Sequence, residues 1–329
     1  MRRIFHIMHL ISIRNILRNF LLLIHKDIRN EIIIINIKLN ELMKEIESLR
    51  KSALYNRIMD YFYSNPFEEY HTEIAFLKTK RSIQVFPYLQ IKKLERVIAE
   101  YDAQKKMPYV YHEDSKKLYF PKGWTVEMAK ATYCKYIEVE NLLGGNFCEK
   151  SPHQYQSENI KVIEGDIVFD IGSAEALFAL DCVELAKKIF VIEENSKWLE
   201  PLEATFEPYK DKVIIINKRL SDINDSENVT IEHCLANIEF NSVFIKMDIE
   251  GGEKEVVAKN EAILILNKNI RLACCTYHHH DDAEKLESAF SALGYNTEFS
   301  DGFMLFHYDN NIQPPFFRKG LIRAKRITS

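Results

Sequence analysis

The sequence predicts an α/β fold, a mostly parallel sheet with helices on both faces, preceded by an N-terminal helical and coiled-coil extension. Two patterns carry this. Between about 160 and 310, apolar runs alternate with helical periodicity. DIVFDIG, IFVIEEN, KVIIINKRL, NSVFIKMDIEG, RLACCTYHHH and FMLFHYD read as strands, and EALFALDCVELAKK, SKWLEPLEATFEPY, VVAKNEAILIL and AEKLESAFSALGY read as helices. Near-continuous apolar strands separated by helices belong to a parallel sheet buried on both faces. Before residue 62, Ile28, Ile32, Ile35, Leu39, Leu42, Ile46, Leu49 and Ala53 recur in alternating steps of four and three. That is the heptad seam of a coiled coil, although a helix packed on its own domain gives a similar stripe.

Taken in order, residues 1–62 read as an amphipathic helix and coiled coil. Arg14, Arg18 and His25 share a helical face opposite Ile7, Leu10, Ile13, Leu17 and Leu21. Such a face suits the core of an oligomer or the surface of an anionic membrane. Arg14 and Arg18 interrupt the apolar run and no small-residue cleavage site follows, so no secretion signal is expected. The uninterrupted apolar stretches are too short to span a bilayer. Residues 63–159 form a mixed α/β lead-in. KKLERVIAEY reads as a short helix, YVYHEDSKKLYFP as a hairpin with a charged turn, and VEMAKATYCKYIEVENLL as a helix. SPHQY at 151–155 leads into the main domain, 160–312. Residues 313–329 read as a basic tail, where Arg318, Lys319, Arg323, Lys325 and Arg326 suit a phosphate-bearing acceptor or plain solvent.

The 329 residues are 47% hydrophobic and 28% charged, an ordinary globular composition. A formal net charge of −4 supplies no electrostatic reason to expect nucleic acid as the partner. Cysteines at 134, 148, 182, 234, 274 and 275 show no C-x-x-C spacing, and Cys182, Cys274 and Cys275 lie in apolar runs. Reduced, buried thiols of this kind point to a cytoplasmic protein, with membrane association left open by the N-terminal helix.

In an open α/β sheet the chemistry sits beyond the carboxyl ends of the strands. The first strand ends DIGSAEA, placing Asp170, Gly172, Ala174 and Ala176 at the alternate positions of a nucleotide-type loop, with alanine where two glycines are usual. Alanine keeps the side chain small but resists positive φ. Glu193 ends the second strand, about twenty residues on, where a carboxylate can accept both hydroxyls of a ribose. Ser221 and Asp222 follow the third strand, either as a turn or beside an adenine edge. The fourth strand ends KMDIEGGE, so Asp248 and Glu250 lie two apart, and Gly251 and Gly252 allow a sharp turn. The fifth ends in TYHHHDD.

The ordered set VFDIGSAEALFAL, VIEENSKW, KVIIINKRLSD, FIKMDIEGGE, CTYHHHDD and SDGFMLF resembles the FkbM-type methyltransferases. SPHQY and PPFFRKGLIRAKR are similar to the glycan-associated branch. The resemblance spans about 105 to 326. It implies a Rossmann-like class I methyltransferase fold and an S-adenosylmethionine-dependent O-methyltransferase acting on a hydroxyl of a sugar or surface-glycan precursor. It further implies that Asp170, Gly172, Ser173 and Glu175 shape the loop at the methionine end of the cofactor. Glu193 would hold the ribose, and Ser221 with Asp222 would lie near the adenine. Asp248, Glu250, Tyr277, His278 and Asp282 would line the acceptor side. One departure is Ala176, where the family usually has glycine.

Methyl transfer to a hydroxyl needs a near-attack geometry and a base for the proton. The expectation is His278 as base, with Asp248, and Glu250 beside it, positioning the imidazole or the hydroxyl; His153 is a lesser candidate on the substrate side. Asp248, Glu250 and His278 could instead hold a divalent metal acting as a Lewis acid, although consecutive histidines on a strand face opposite ways. Asp281 and Glu284 suggest a capping box for the helix that follows. Two rivals remain: a nicotinamide-dependent oxidoreductase, and a non-catalytic scaffold in which the coiled coil does the work. The expected partners are a small-molecule or glycan acceptor and, through the coiled coil, a second copy of the chain.

Overall fold

The computed structural model describes residues 2–88, 97–113, 115–134, 151–266 and 269–326, with side chains from residue 31 onward apart from Leu266. The chain forms two compact units, Met1–Arg57 and Ile58–Ser329. One continuous helix, α1 (Arg2–Ser64), makes up the first unit and contributes its last turns to the second. Within the first unit, Ile32, Ile35, Leu39, Leu42, Ile46 and Leu49 of the heptad seam are all exposed, Leu49 to 70%. The basic face at Arg14, Arg18 and His25 lies outside the described side chains. No described helix is long and apolar enough to cross a membrane.

In the second unit, the last turns of α1 pack through Phe62 on Phe317, ring centroids 5.5 Å apart, and through Tyr61 on Phe316 at 5.7 Å. Helix α2 (His71–Lys80) follows. Strands β1 (Ala99–Asp102), β2 (Met107–His112) and β3 (Lys116–Tyr119) form an antiparallel sheet, which confirms the hairpin. β1 corrects part of the helix expected in KKLERVIAEY: its closing residues are extended and pair with β2, while residues 91–96 lie outside the described ones. Helix α3 (Val126–Thr132) begins at Thr125, whose side chain accepts the Met128 N–H. The rest of the helix expected there, from residue 135, lies outside the described residues.

The main sheet is built from β4 (Ile167–Ile171), β5 (Lys188–Ile192), β6 (Val213–Ile216), β9 (Val243–Met247), β10 (Ile270–Cys275), β11 (Tyr295–Phe299) and β12 (Leu321–Arg326), with a separate short pair, β7 (Arg219–Leu220) and β8 (Asn228–Val229). Its order is β6-β5-β4-β9-β10-β12-β11. Numbered by appearance within the sheet this is 3-2-1-4-5-7-6, with only the last-formed strand antiparallel to its neighbours. The order and the single reversed strand are those of the Rossmann-like class I methyltransferase fold. Strand order reverses between β4 and β9, which leaves a crevice at their carboxyl ends.

Around the sheet lie α4 (Leu177–Cys182), α5 (Leu199–Phe206), α6 (Ile231–Leu235), α7 (Glu253–Lys259), α8 (Glu261–Leu266) and α9 (Asp282–Ala292). The single helix expected at VVAKNEAILIL is two, α7 and α8, broken at Asn260. Strand alternation divides the core. Ile167, Phe169 and Ile171 face one apolar layer with Phe190, Ile245 and Leu272, and Val168 faces the other with Phe178, Phe244 and Leu321. Each fully buried side chain of this size contributes about 1.5–3 kcal/mol.

The basic tail is corrected as well. Leu321–Arg326 is β12, an interior strand flanked by β10 and β11. Arg323 is buried because its guanidinium meets Glu298 at 2.9 Å and the Gln154 carbonyl at 2.7 Å. Paired in this way, a cationic segment can lie inside a sheet. The strand expected at FMLFHYD is absent; there Met304 makes only an isolated bridge with Arg318.

Candidate functional site

The site begins with a close crossing. Gly172 has φ +67°, and a Cβ added there would stand 1.8 Å from the Asp248 carbonyl oxygen. Only glycine lets the loop after β4 lie against the end of β9. Ala174 and Ala176 also take positive φ, 47° and 59°, so the loop adopts its glycine-type path in spite of its alanines. Two carboxylates hold it. Glu193 accepts the Ala174 N–H at 2.9 Å and the Asn195 N–H at 2.7 Å, tying the loop to the end of β5. Asp170, fully buried, accepts the Ala179 N–H at 3.1 Å and lies 2.9 Å from Lys246 Nζ.

Lys246 also donates to the Gly172 carbonyl at 2.9 Å. Burial disfavours its charge, but Asp170 and Asp248 outweigh burial and hold the ammonium well above the ordinary lysine range. Ser173 is buried and its Oγ has no hydrogen-bond partner. Glu175 is partly accessible, yet desolvation pushes its carboxyl up to about 7, against the pull of a backbone hydrogen bond and Lys246 and with added repulsion from Asp170 and Asp248.

Asp248 is the hub of the acceptor side. Tyr155 and Tyr277 each donate a hydroxyl to it at 3.2 Å, one to each oxygen. His153 Nε2 stands 3.8 Å from Oδ2 and His278 Nε2 3.5 Å from Oδ1. Burial would raise the carboxyl, but Lys246, His153 and His278 together hold it below the usual carboxylate range. His278 is buried among carboxylates, with Glu253 Oε1 3.4 Å from Nδ1 and Glu250 Oε2 3.7 Å from Nε2. Burial lowers its pKa, yet Glu253, Asp248 and Glu250 raise it further, so the net direction is up. Phe306 covers the pair, its ring 5.1 Å from that of Tyr277 and 5.6 Å from that of His278.

The structure therefore brings His153, Asp248, Tyr277, His278 and Glu250 together, as well as Asp170, Gly172, Ser173, Glu175 and Glu193. Asp282 turns elsewhere: it accepts the His279 N–H at 2.6 Å and pairs with Lys254 at 2.8 Å. The expected capping box does not form. Asp281 makes no cap bond and is drawn to Lys254 and Lys285, at 2.7 and 2.5 Å. Ser221 and Asp222 follow β7, with Asp222 3.3 Å from Lys259. That region reaches β5 through Asn217, which donates to the Glu193 carbonyl at 2.7 Å.

Three residues of the site escape sequence reasoning. Lys246 is a lone cation in an apolar strand, two before Asp248 and so on the same face, and this was its only signal. Tyr155 stands two after His153. Glu253 opens α7, 1% exposed, with its Oε2 unpartnered. As possible metal donors, Asp248, Glu253 and His278 lie within 4.8 Å of one another, as do His153, Asp248 and Cys275. Buried Glu253 thus takes the place that the sequence suggested for Glu250, whose side chain is 90% exposed.

No family model matches the chain, and no curated protein matches it in sequence. Solved structures similar to it include a precorrin-6y C5,15-methyltransferase from Geobacter metallireducens, at 15% identity and TM-score 0.35, covering 51% of this chain and 84% of that one. An rRNA methylase from Streptococcus thermophilus stands at 15% identity and TM-score 0.36, covering 51% and 90%. A ribosomal protein L11 methylase from Lactobacillus delbrueckii subsp. bulgaricus stands at 11% and 0.31, covering 50% and 72%. The strand order and the reversed β12 by themselves define the fold.

Proposed function

We propose that the protein is an S-adenosylmethionine-dependent O-methyltransferase acting on a hydroxyl of a sugar or glycan precursor. The observation that carries this reading is the meeting of two strand ends: the Gly172 loop braced by Glu193, pressed against an Asp248–His278 pair. The chain's residues fit the cofactor. Gly172 leaves a cradle that any Cβ would fill, Ser173 Oγ is an orphaned buried hydroxyl, and Glu193 keeps lone pairs free for a ribose. When bound, the cofactor supplies a methyl group on a sulfonium. Glu175, poised near neutrality, would carry negative charge toward that cation at the methionine end.

Asp248 and the tyrosines on either side of it position the acceptor hydroxyl. With the hydroxyl aligned on that methyl group, its proton would pass to His278 Nε2, and Asp248 with Glu253 would stabilise the imidazolium. Three carboxylates around one imidazole favour the charged form, so His278 acts as a base only after losing its proton. Turnover should therefore rise with pH through a midpoint above about 6.5, the ordinary histidine value.

Calorimetry with S-adenosylmethionine and with NAD tests the cofactor: heat of binding is expected for the first and not for the second. Assayed against a panel of sugar acceptors, His278→Ala should cost about 10²–10⁴ in turnover and remove the part of the pH dependence that His278 sets. Intact turnover in His278→Ala together with its loss in Asp248→Ala would overturn the base assignment.

The same reading extends to the first unit. An exposed heptad seam on a continuous helix is self-complementary, and we propose that it joins this chain to a second copy.

A further inference from the structure

A cavity of about 700 Å³ opens beside α2, away from the cofactor loop. Its apolar lining comes from Phe76, Pro87, Pro152 and Phe303, and its polar lining includes His71, Thr72, Thr79 and Asp301. Glu73 also lines it, 2% exposed. One oxygen of Glu73 accepts the Tyr88 hydroxyl, and the other, Oε2, is buried with no partner. Gly302 permits a close approach in the wall: a Cβ there would stand 2.4 Å from Tyr88 Oη. Tyr88 in turn accepts the Phe303 N–H at 2.6 Å.

Three features define what fits. Flat aromatic and proline surfaces offer apolar contact, while an unsatisfied carboxylate oxygen, hydroxyls and an imidazole offer hydrogen bonds in several directions. Glu69, Glu73 and Asp301 meet Lys80 in the lining, and Lys319 sits over the Phe303 ring at 3.9 Å, lies 3.8 Å from Glu69 and acts on Glu73 as well. A lining of both signs suits a ligand without net charge. Position adds the third feature. Pro152 directly precedes His153, which faces Asp248, and Phe303 stands three residues before Phe306, which covers His278.

From this we infer that the cavity is a binding site for a neutral, polyhydroxylated ligand, a sugar chain, held by Glu73 and the Phe76–Phe303 surfaces. The claim that such a chain extends from this cavity to Asp248 rests on the proposed methyl transfer; the binding claim does not. The ligand's hydroxyls donate to Glu73 Oε2 and exchange hydrogen bonds with Thr72, Thr79 and His71, and its ring faces lie on the apolar lining.

The test is retention of the full-length protein on an array of neutral oligosaccharides, with S-adenosylhomocysteine binding followed in parallel. Retention on at least one neutral glycan is expected. Glu73→Gln, and Thr72→Trp at an exposed position that fills the cavity, should each weaken it at least about tenfold while S-adenosylhomocysteine binding is unchanged. A blank array from protein that binds S-adenosylhomocysteine overturns the proposal, as does retention that survives both variants. Glycan retention without S-adenosylhomocysteine binding would support this cavity and count against the methyltransferase reading.

Discussion

Ala174 and Ala176 sit in left-handed backbone, at φ 47° and 59°, inside the loop that the site depends on. A non-glycine residue gives up about 1–2 kcal/mol there, and the rest of the fold must impose it. Glu193 holds the Ala174 N–H, and the Gly172 crossing leaves the chain no other path. Ala174→Gly should therefore raise unfolding stability by up to about 1 kcal/mol, part of the gain being offset by a freer unfolded chain; urea denaturation measures it. A fall in stability would mean that the alanine methyl matters more than the strain. At this scale much of the site was legible. Gly172, Glu193, Asp248 and His278 all close strands, and strand ends are where α/β sheets do chemistry. Lys246, Tyr155 and Glu253 were not, because their roles arise from neighbours far away in sequence.

At the scale of elements, β10 and the loop before β4 are locked by a buried ion pair. Arg271 Nη2 meets Asp166 Oδ1 at 2.5 Å, and Nη1 donates to the Lys161 carbonyl at 2.6 Å. Asp166 also takes the Ile163 N–H at 2.7 Å and the Ser242 hydroxyl. Removing one partner strands the other charge in the core, so Asp166→Ala should cost about 3–5 kcal/mol, read from the shift in denaturation midpoint. A loss below about 1 kcal/mol, the scale of a surface pair, would show that Arg271 finds water or another acceptor. β12 teaches the same lesson from the other side. LIRAKR looks like a basic tail when read alone, yet Leu321, Ile322 and Ala324 are buried and Arg323 is paired. Three charges outweigh the three apolar residues in these six, and only Glu298 and Gln154, remote in sequence, let Arg323 lie inside the sheet.

The whole molecule carries its heptad seam in the first unit. Six seam residues between Ile32 and Leu49 are exposed on α1. Their burial against a second copy would remove apolar surface worth about 25 cal/mol per Å². Light scattering should therefore report more than the 38.7 kDa of one chain. Leu42→Glu, a charge in the seam, should return the mass to that of one chain without altering the unfolding of the second unit. A wild-type mass of one chain would remove the coiled-coil proposal.

The sequence by itself determined the layered α/β class, the hairpin, the long N-terminal helix and the strand ends where chemistry collects. Each of these follows from local periodicity or from a residue's place at the end of an apolar run. Only the tertiary structure decided that the last strand inserts beside β10, that Lys246 ties Asp170 to the Gly172 carbonyl, and that His278 sits among three carboxylates. Those facts depend on which segments meet across the sheet. The free energy that selects such meetings, burial against pairing of charge, is a property of the packed chain rather than of any stretch within it.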